Sequence, residues 1–261
     1  SNKYFVTQNS YEELVAETYR NLRPLLQNTT HMWYGTDMYE RTGVVNDTQS
    51  PLNDYTVFTG NESQGWWTDN YNMITKANTA MTRGASIESD IAPNVYATRT
   101  GELLALRAYA YFNLVETFGD VPLITSEVTE ATYNFARNSE EEVYAQIVKD
   151  LTQAISQLPS EPANYGRVAQ AMAQHLLGKV LLTRSYKPYA QSTDLANAVS
   201  ALQVAMNKSV LTTWDVLFGD AYQNNNKEVI FAVRYSGDNT LNNPGNNLYQ
   251  QFKFWTDRYP G

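Results

Sequence analysis

No cysteine occurs in the 261-residue chain, which excludes disulfides, thiol catalysis, iron-sulfur clusters and Cys-based metal sites together. Histidine is almost as scarce: His31 and His175 stand far apart and are the only two, so a three-His metal site is impossible. No H-E-x-x-H, Walker or G-x-G-x-x-G pattern is found. Long apolar runs are missing as well, since nothing approaches the ~18 uninterrupted residues of a membrane span. The opening Ser1-Asn2-Lys3-Tyr4 lacks the apolar run of a signal peptide, so the start reads as trimmed. Charged residues make up only 18% of the chain against 43% hydrophobic ones, which excludes the high-charge signature of disorder. The charge that is present runs negative, 19 Lys plus Arg against 27 Asp plus Glu for a net −8. A field of that sign repels phosphate backbones and argues against nucleic acid as a partner. A globular protein is expected, one large domain or two small ones, with about 70 to 75% of its unfolded surface buried.

Asparagine, by contrast, is abundant at 25 residues, beside 19 Tyr and 5 Trp. Amide hydrogen-bonders combined with flat amphipathic rings suit polar ligands that have apolar faces. Apolar spacing near 3.6 predicts a series of helices. The first covers residues 10–23, opened by a Ser10/Glu13 capping box and closed by Pro24. A second carries Trp66, Trp67, Asn70, Tyr71, Ile74, Ala77, Asn78 and Met81. A third opens at Pro93 and runs through Leu103, Leu106, Tyr111 and Val115 to Phe118-Gly119-Asp120-Val121-Pro122, where Gly suits a left-handed C-terminal position and Pro cannot continue the helix. Ser139 and Glu142 form another capping box, with Glu140 and Glu141 complementing the positive helix end, for a helix that reaches Pro159. Segments 167–185 and 195–208 read as a closely packed pair. Segment 228–235, β-branched and aromatic after Asn224-Asn225-Asn226, is the one expected strand. Residues 28–62 lose all periodicity, a stretch too long for an ordinary connection and therefore functional or mobile.

Helix pairs joined by turns invite a repeat test. Ala105 and Ala173 lie 68 positions apart, twice the roughly 34-residue tetratricopeptide period, and Ala108/Leu176, Tyr109/Leu177 and Phe112/Val180 follow in register. Two alanine-rich helices also align by composition alone, so both accounts stand. Leu104-Ala105-Leu106-Arg107-Ala108-Tyr109-Ala110-Tyr111-Phe112-Asn113-Leu114, followed by Phe118-Gly119-Asp120-Val121-Pro122-Leu123, resembles the RagB/SusD family of bacterial glycan-binding lipoproteins. Trp67 with Tyr71, Ile74, Ala77 and Asn78 looks like that family's Trp-Tyr-Ile-Ala-Asn helix. Arg137, Ser139, Val143, Tyr144, Ile147, Asp150, Leu151 and Leu158-Pro159 look like its next helix. Gly166-Arg167-Val168 with Ala173 and Leu177, then Asn225-Asn226-Lys227-Glu228-Val229-Ile230-Phe231, complete the order.

The resemblance implies a mainly α fold of tetratricopeptide-like helix pairs, an α-α superhelix with long loops and little β. It also implies a place at the cell surface on the outer membrane, through a lipidated N-terminal Cys that is missing here. The implied partners are a glycan and a SusC-type TonB-dependent transporter, in polysaccharide utilisation of the Bacteroidetes type. Members of the family are usually much longer. Residues 1–220 are accordingly expected to form the helical domain, and residues 221–261 a strand and loop that begin a C-terminal loop-rich region and read as truncated.

The loop from His31 to Asn61 supplies most of the candidate ligand residues: Trp33, Tyr34, Asp37, Tyr39, Arg41, Asn46 and Asp47, with Asn53 and Tyr55 nearby. A pyranose presents C–H bonds that stack on indole or phenol faces, and hydroxyls that pair with amides, carboxylates and Arg donors. The competing account is that Trp33 and Tyr34 close a helix end while the polar residues are solvated. Trp66 and Trp67 diverge by about 100° on a helix, so both cannot occupy one core stripe. Trp67 fits the family helix, which leaves Trp66 as a surface platform and brings Trp66 and Asn70 into the candidate set. Asp37, Glu40 and Asp47 admit a paired-carboxylate glycosidase, although that chemistry depends on a separation that spacing in sequence does not set. His175 reads as a packed core residue. Arg107 reads as paired with a carboxylate or as a packed stem with its head in water. The Asn-x-Ser/Thr sequons at Asn28, Asn46, Asn61 and Asn207 read as accidental.

The expected function is noncatalytic capture of an oligosaccharide or polysaccharide at the cell surface and delivery to the transporter. It requires no cofactor and no metal, and membrane contact comes only through the lipid anchor. The alternative is a helical-repeat scaffold that binds a protein partner without touching glycan.

Overall fold

The structure, a computed structural model, describes residues 7–27, 60–132, 134–218 and 227–233. The chain divides into two compact units, Ser1–Asn21 with Asn70–Ala232, and Leu22–Asp69 with Val233–Gly261.

In the first unit α1 spans Gln8–Arg20. Its cap differs from expectation. Thr7 is the N-cap, its Oγ1 accepting from the Ser10 N–H at 3.3 Å while Ser10 Oγ accepts from the Thr7 N–H at 3.1 Å. A serine three residues into the helix thus does the reciprocal work that Glu13 was expected to do one turn later. In the second unit α2 covers Leu22–Gln27, and Pro24 lies inside its first turn instead of ending the previous helix. A first-turn N–H has no intrahelical acceptor, so its absence in proline costs little.

Helix α3 spans Asn61–Ser86 and α4 Pro93–Phe118, with a 3-10 turn at Glu88–Asp90 between them. Pro93 opens α4 and Gly119 ends it at φ +67°, a left-handed value that favours glycine. Helix α5 (Glu140–Gln157) starts from the expected capping box, with Ser139 Oγ accepting from Glu142 N–H at 3.3 Å and Glu142 Oε2 accepting from Ser139 N–H at 2.9 Å. Helices α6 (Gln170–Arg184) and α7 (Asp194–Met206) and the short α8 (Trp214–Phe218) follow.

Helix α4 packs on α5, α5 on α6 and α6 on α7, while α1 and α6 also touch α4. This is a stack of helix pairs in which alternate helices are equivalent. The 68-residue register joins positions of equal burial: Ala105 and Ala173, Ala108 and Leu176, and Phe112 and Val180 are all buried, and Tyr109 and Leu177 are both half-buried. The expected close approach of α6 and α7 centres on Gly178, where a Cβ would lie 2.7 Å from Leu202 Cδ2 and 3.2 Å from the Ala198 carbonyl oxygen. A core cluster of Tyr11, Val15, Ala77, Ala80, Ile87, Ile91 and Leu103 ties α1 and α3 to the start of α4. Each large apolar side chain of this kind contributes about 1.5 to 3 kcal/mol when buried.

The strand expected at 228–235 is not formed over its described part. Residues 227–233 carry bends and no ladder, and the backbone is instead stitched to the segment after α7. Val210 N–H donates to the Lys227 carbonyl at 3.1 Å and Ser209 Oγ to the Glu228 carbonyl at 2.8 Å. β-branched composition favours extension, but a ladder also needs a neighbouring strand. Among the described residues the only strand-type pairing is an isolated antiparallel bridge between Val121 and Asn138. No helix of the described residues is long and apolar enough to cross a membrane.

Candidate functional site

Trp33, Tyr34, Asp37, Tyr39, Arg41, Asn46 and Asp47 lie outside the described residues. Trp66 and Asn70 are both on α3, and the structure reverses the expectation for them. Trp66 is 4% exposed and Asn70 0%, while Trp67 is half-buried. The 100° divergence therefore holds, but it is Trp66 that enters the core, because its face of α3 coincides with Asn70, Met73, Ile74 and Ala77, all buried. Asn70 Oδ1 accepts from Asn113 Nδ2 at 3.1 Å, which makes it a bridge between α3 and α4.

The polar residues that follow on α3 and α4 grip the extended segment after Gly119. Tyr71 OH donates to the Pro122 carbonyl at 2.8 Å, and Asn78 Nδ2 to the Ile124 carbonyl at 2.8 Å. Tyr111 OH donates to the same Ile124 carbonyl at 2.8 Å and accepts the Ile124 N–H at 2.7 Å. Burial pushes the Tyr111 phenol up to about 12, so it stays a donor at every physiological pH. Asp120 Oδ1 accepts from Glu140 N–H at 2.9 Å, and thereby joins this segment to the start of α5.

Arg107 is at the centre of that grip. Its Nε and Nη2 reach Asp150 Oδ2 and Oδ1, each at 2.8 Å, and Nη1 donates to Asn78 Oδ1 at 2.7 Å and to the Thr125 carbonyl at 2.9 Å. Both partners of the pair are buried. The expectation of a carboxylate partner is met, and four bonds to three elements satisfy a charge that would otherwise be costly to bury.

A second charged group sits where α1, α4 and the turn before α6 meet. Glu102, 1% exposed, accepts from Arg99 Nη1 and Arg167 Nη1, each at 2.7 Å, and Arg99 Nε also reaches both Glu12 oxygens at 2.8 Å. Burial pushes the Glu102 carboxyl up, against the pull of Arg167 and Arg99. Arg167 also lies 5.3 Å from the Tyr19 ring centre. These contacts account for Gly166-Arg167-Val168 as architecture, since Val168 N–H donates to Tyr19 OH at 2.9 Å. His175 is exposed on α6, contrary to the expectation of a core position, because the helix turns Ala173 and Leu176 inward. No group of three or more His, Cys, Asp or Glu side chains that could hold a metal ion occurs among the described residues.

One concavity of about 520 Å³ lies between the turn preceding α6, residues 160–171, and the segments 208–210 and 227–232. Reading the sequence missed it, because its walls are two turns distant in the chain. The one available signal was in the resemblance-bearing segments, whose Gly166, Arg167 and Lys227 the fold brings to the same groove.

A family model, SusD-like, described as starch-binding and associating with the outer membrane, matches residues 2–182. SusD-like protein P2 of Formosa agariphila is 27% identical over 174 residues, which cover 66% of this chain and 34% of that protein. A SusD superfamily protein of Parabacteroides distasonis superposes with a TM-score of 0.78 at 22% identity, covering 94% of this chain and 54% of that one. A structure described as a laminarin-binding SusD-like protein superposes with a TM-score of 0.66 at 24% identity over 80% of this chain and 45% of its own. The chain thus spans about a third of this curated relative, and at these identities the superpositions show a shared fold.

Proposed function

Because this chain belongs to the SusD-like family, we propose that it captures a glycan at the outer-membrane surface and passes it, unmodified, to a TonB-dependent transporter. The observation that carries this reading is the family match across residues 2–182. The curated relative and the laminarin-binding protein add support through their own descriptions. In this reading residues 1–220 are the helical domain and 221–261 begin a C-terminal region. The 31–61 loop supplies the sugar contacts, with Trp33 and Tyr34 stacking on pyranose faces and Asp37, Tyr39, Arg41, Asn46 and Asp47 reading hydroxyls. Trp66 and Asn70, both buried on α3, belong to the helix frame instead of touching sugar. A lipid anchor would keep the protein at the membrane.

The test is a glycan-array screen followed by calorimetry and product analysis. Saturable binding without new reducing ends is expected. Reducing ends that accumulate in proportion to protein would replace capture with hydrolysis.

A second reading is favoured by α7. Leu195, Val199 and Met206 are exposed there at 56%, 55% and 66%, at the spacing of a helix-packing stripe. An apolar stripe of this kind suits a protein partner, and the transporter is the partner this family membership suggests. The two readings concern different parts of the chain and are compatible.

A further inference from the structure

We propose that the groove between residues 160–171 and the segments 208–210 and 227–232 is a separate binding site for a carboxylate-bearing saccharide. This goes beyond the loop site described above and does not depend on it.

The groove is made by backbone as much as by side chains. Gly166 at φ +94° lets the turn before α6 reverse, with Arg167 N–H donating to the Asn164 carbonyl at 3.0 Å. Opposite it, Glu228 fastens the other wall: its carbonyl accepts from Ser209 Oγ at 2.8 Å, and its Oε2 accepts from Thr212 N–H and Thr212 Oγ1, each at 2.9 Å. Two short loops that would otherwise be independent are held as facing walls. The volume of about 520 Å³ falls within the range of about 300 to 1,000 Å³ common for small-molecule sites.

The chemistry of the lining is specific. Tyr165 and Phe231 supply ring faces, and Val229 and Ile230 an apolar floor. Against these stand Lys208, Lys227 and part-exposed Arg167, with Glu161 the one carboxylate in the lining. Three cations thus face the groove, and the nearby Glu228 carboxylate is turned onto Thr212. Arg167 is occupied by Glu102 and Glu12. Lys208 pairs with Glu161 at 2.9 Å, but the two side chains are 38% and 73% exposed, so the pair is weak and readily exchanged for another anion. Lys227 is exposed and forms no ion pair among the described residues. Available positive charge at the rim with rings and aliphatic side chains inside matches a ligand with an apolar face and a carboxylate. A uronate sugar has both, whereas a neutral hexose leaves the lysines unanswered and a simple inorganic anion leaves the rings unused.

The test is calorimetric titration of the full chain with tri-galacturonate, and with maltotriose as a neutral control, at low and high salt. Binding of tri-galacturonate that weakens with salt is expected. Lys227→Glu should weaken it by about tenfold and Lys208→Gln by a smaller factor, since rim charges are being removed from a solvated site. Because both lysines are exposed, helicity and unfolding midpoint serve as controls that should not change. Failure of the wild-type chain to bind tri-galacturonate overturns the proposal. So does binding that is indifferent to both substitutions, or maltotriose binding that falls by the same factor in Lys227→Glu.

Discussion

Helices α4 and α7 sit in the same stack, yet they are built on opposite plans. From Gly101 to Ala108 every residue of α4 is buried, charged Glu102 and Arg107 included. In α7 only Asp194, Ala198, Ala201 and Ala205 are buried, a single narrow stripe, while Leu195, Val199 and Met206 face outward. A helix enclosed on all sides can hold charge only if each donor and acceptor is answered, so α4 is specified by polar geometry. A helix with one packed face is specified by small residues that allow close approach, and the rest of its surface is left for other uses. The difference separates what fixes the fold from what is available for recognition.

The contrast predicts graded consequences. Removing the α4 clamp should hurt most: Arg107→Ala leaves Asp150 buried without its partner and should cost about 3 to 5 kcal/mol in urea unfolding. An equally stable variant would show that the clamp does not hold the 120–127 segment. At the α6–α7 seam, Gly178→Ala would press a methyl group into Leu202 and should cost about 1 to 3 kcal/mol. A neutral effect there would mean that α7 can move away from α6.

A pH effect is expected at the start of α7. Burial opposes the charge on Asp194, but the Arg184 guanidinium, with Nε at 2.9 Å from Oδ2, and the Gln191 N–H at 2.8 Å outweigh it and hold the carboxyl below its usual range. A lowered folded-state value means that the unfolded chain binds the proton more readily. This contribution is therefore complete above the ordinary aspartate value of about 4 and is lost as pH falls below it. Asp194→Asn should flatten the acid limb of the stability curve, and an unchanged limb would remove Asp194 from the account. The smallest stability effect belongs to the outward face of α7. Val199→Ser with Met206→Gln should change stability by less than about 0.5 kcal/mol while reducing capture of the transporter in a co-purification. A large loss of stability would instead make that face part of the core.

Much of the frame was legible because it is written in local chemistry. The Ser139/Glu142 box, Pro93 and Gly119 each act within one turn, and each is found where the spacing puts it. The Thr7 cap was missed because a serine at the third helical position can replace the expected glutamate. The Trp66 and Trp67 assignments were exchanged because periodicity gives the angle between two side chains but not which neighbour each one meets. Segment 228–235 was read as a strand because β-branched composition is local, whereas the partner strand it would need is not. The groove went unseen for the same reason, since Tyr165 and Phe231 line one cavity although they stand far apart in the chain. The candidate sugar contacts from Trp33 to Asp47 were named from residue type alone, and they lie outside the described residues.

The most direct test of this division between frame and recognition is to measure glycan affinity and unfolding free energy together for Trp33→Ala and Trp66→Ala. Trp33→Ala should lose about 1 to 3 kcal/mol of sugar binding with its helicity and unfolding midpoint intact. Trp66→Ala should lose about 3 to 5 kcal/mol of stability, the cost of emptying a buried tryptophan site. Wild-type sugar affinity in Trp33→Ala, or wild-type stability in Trp66→Ala, would contradict the account.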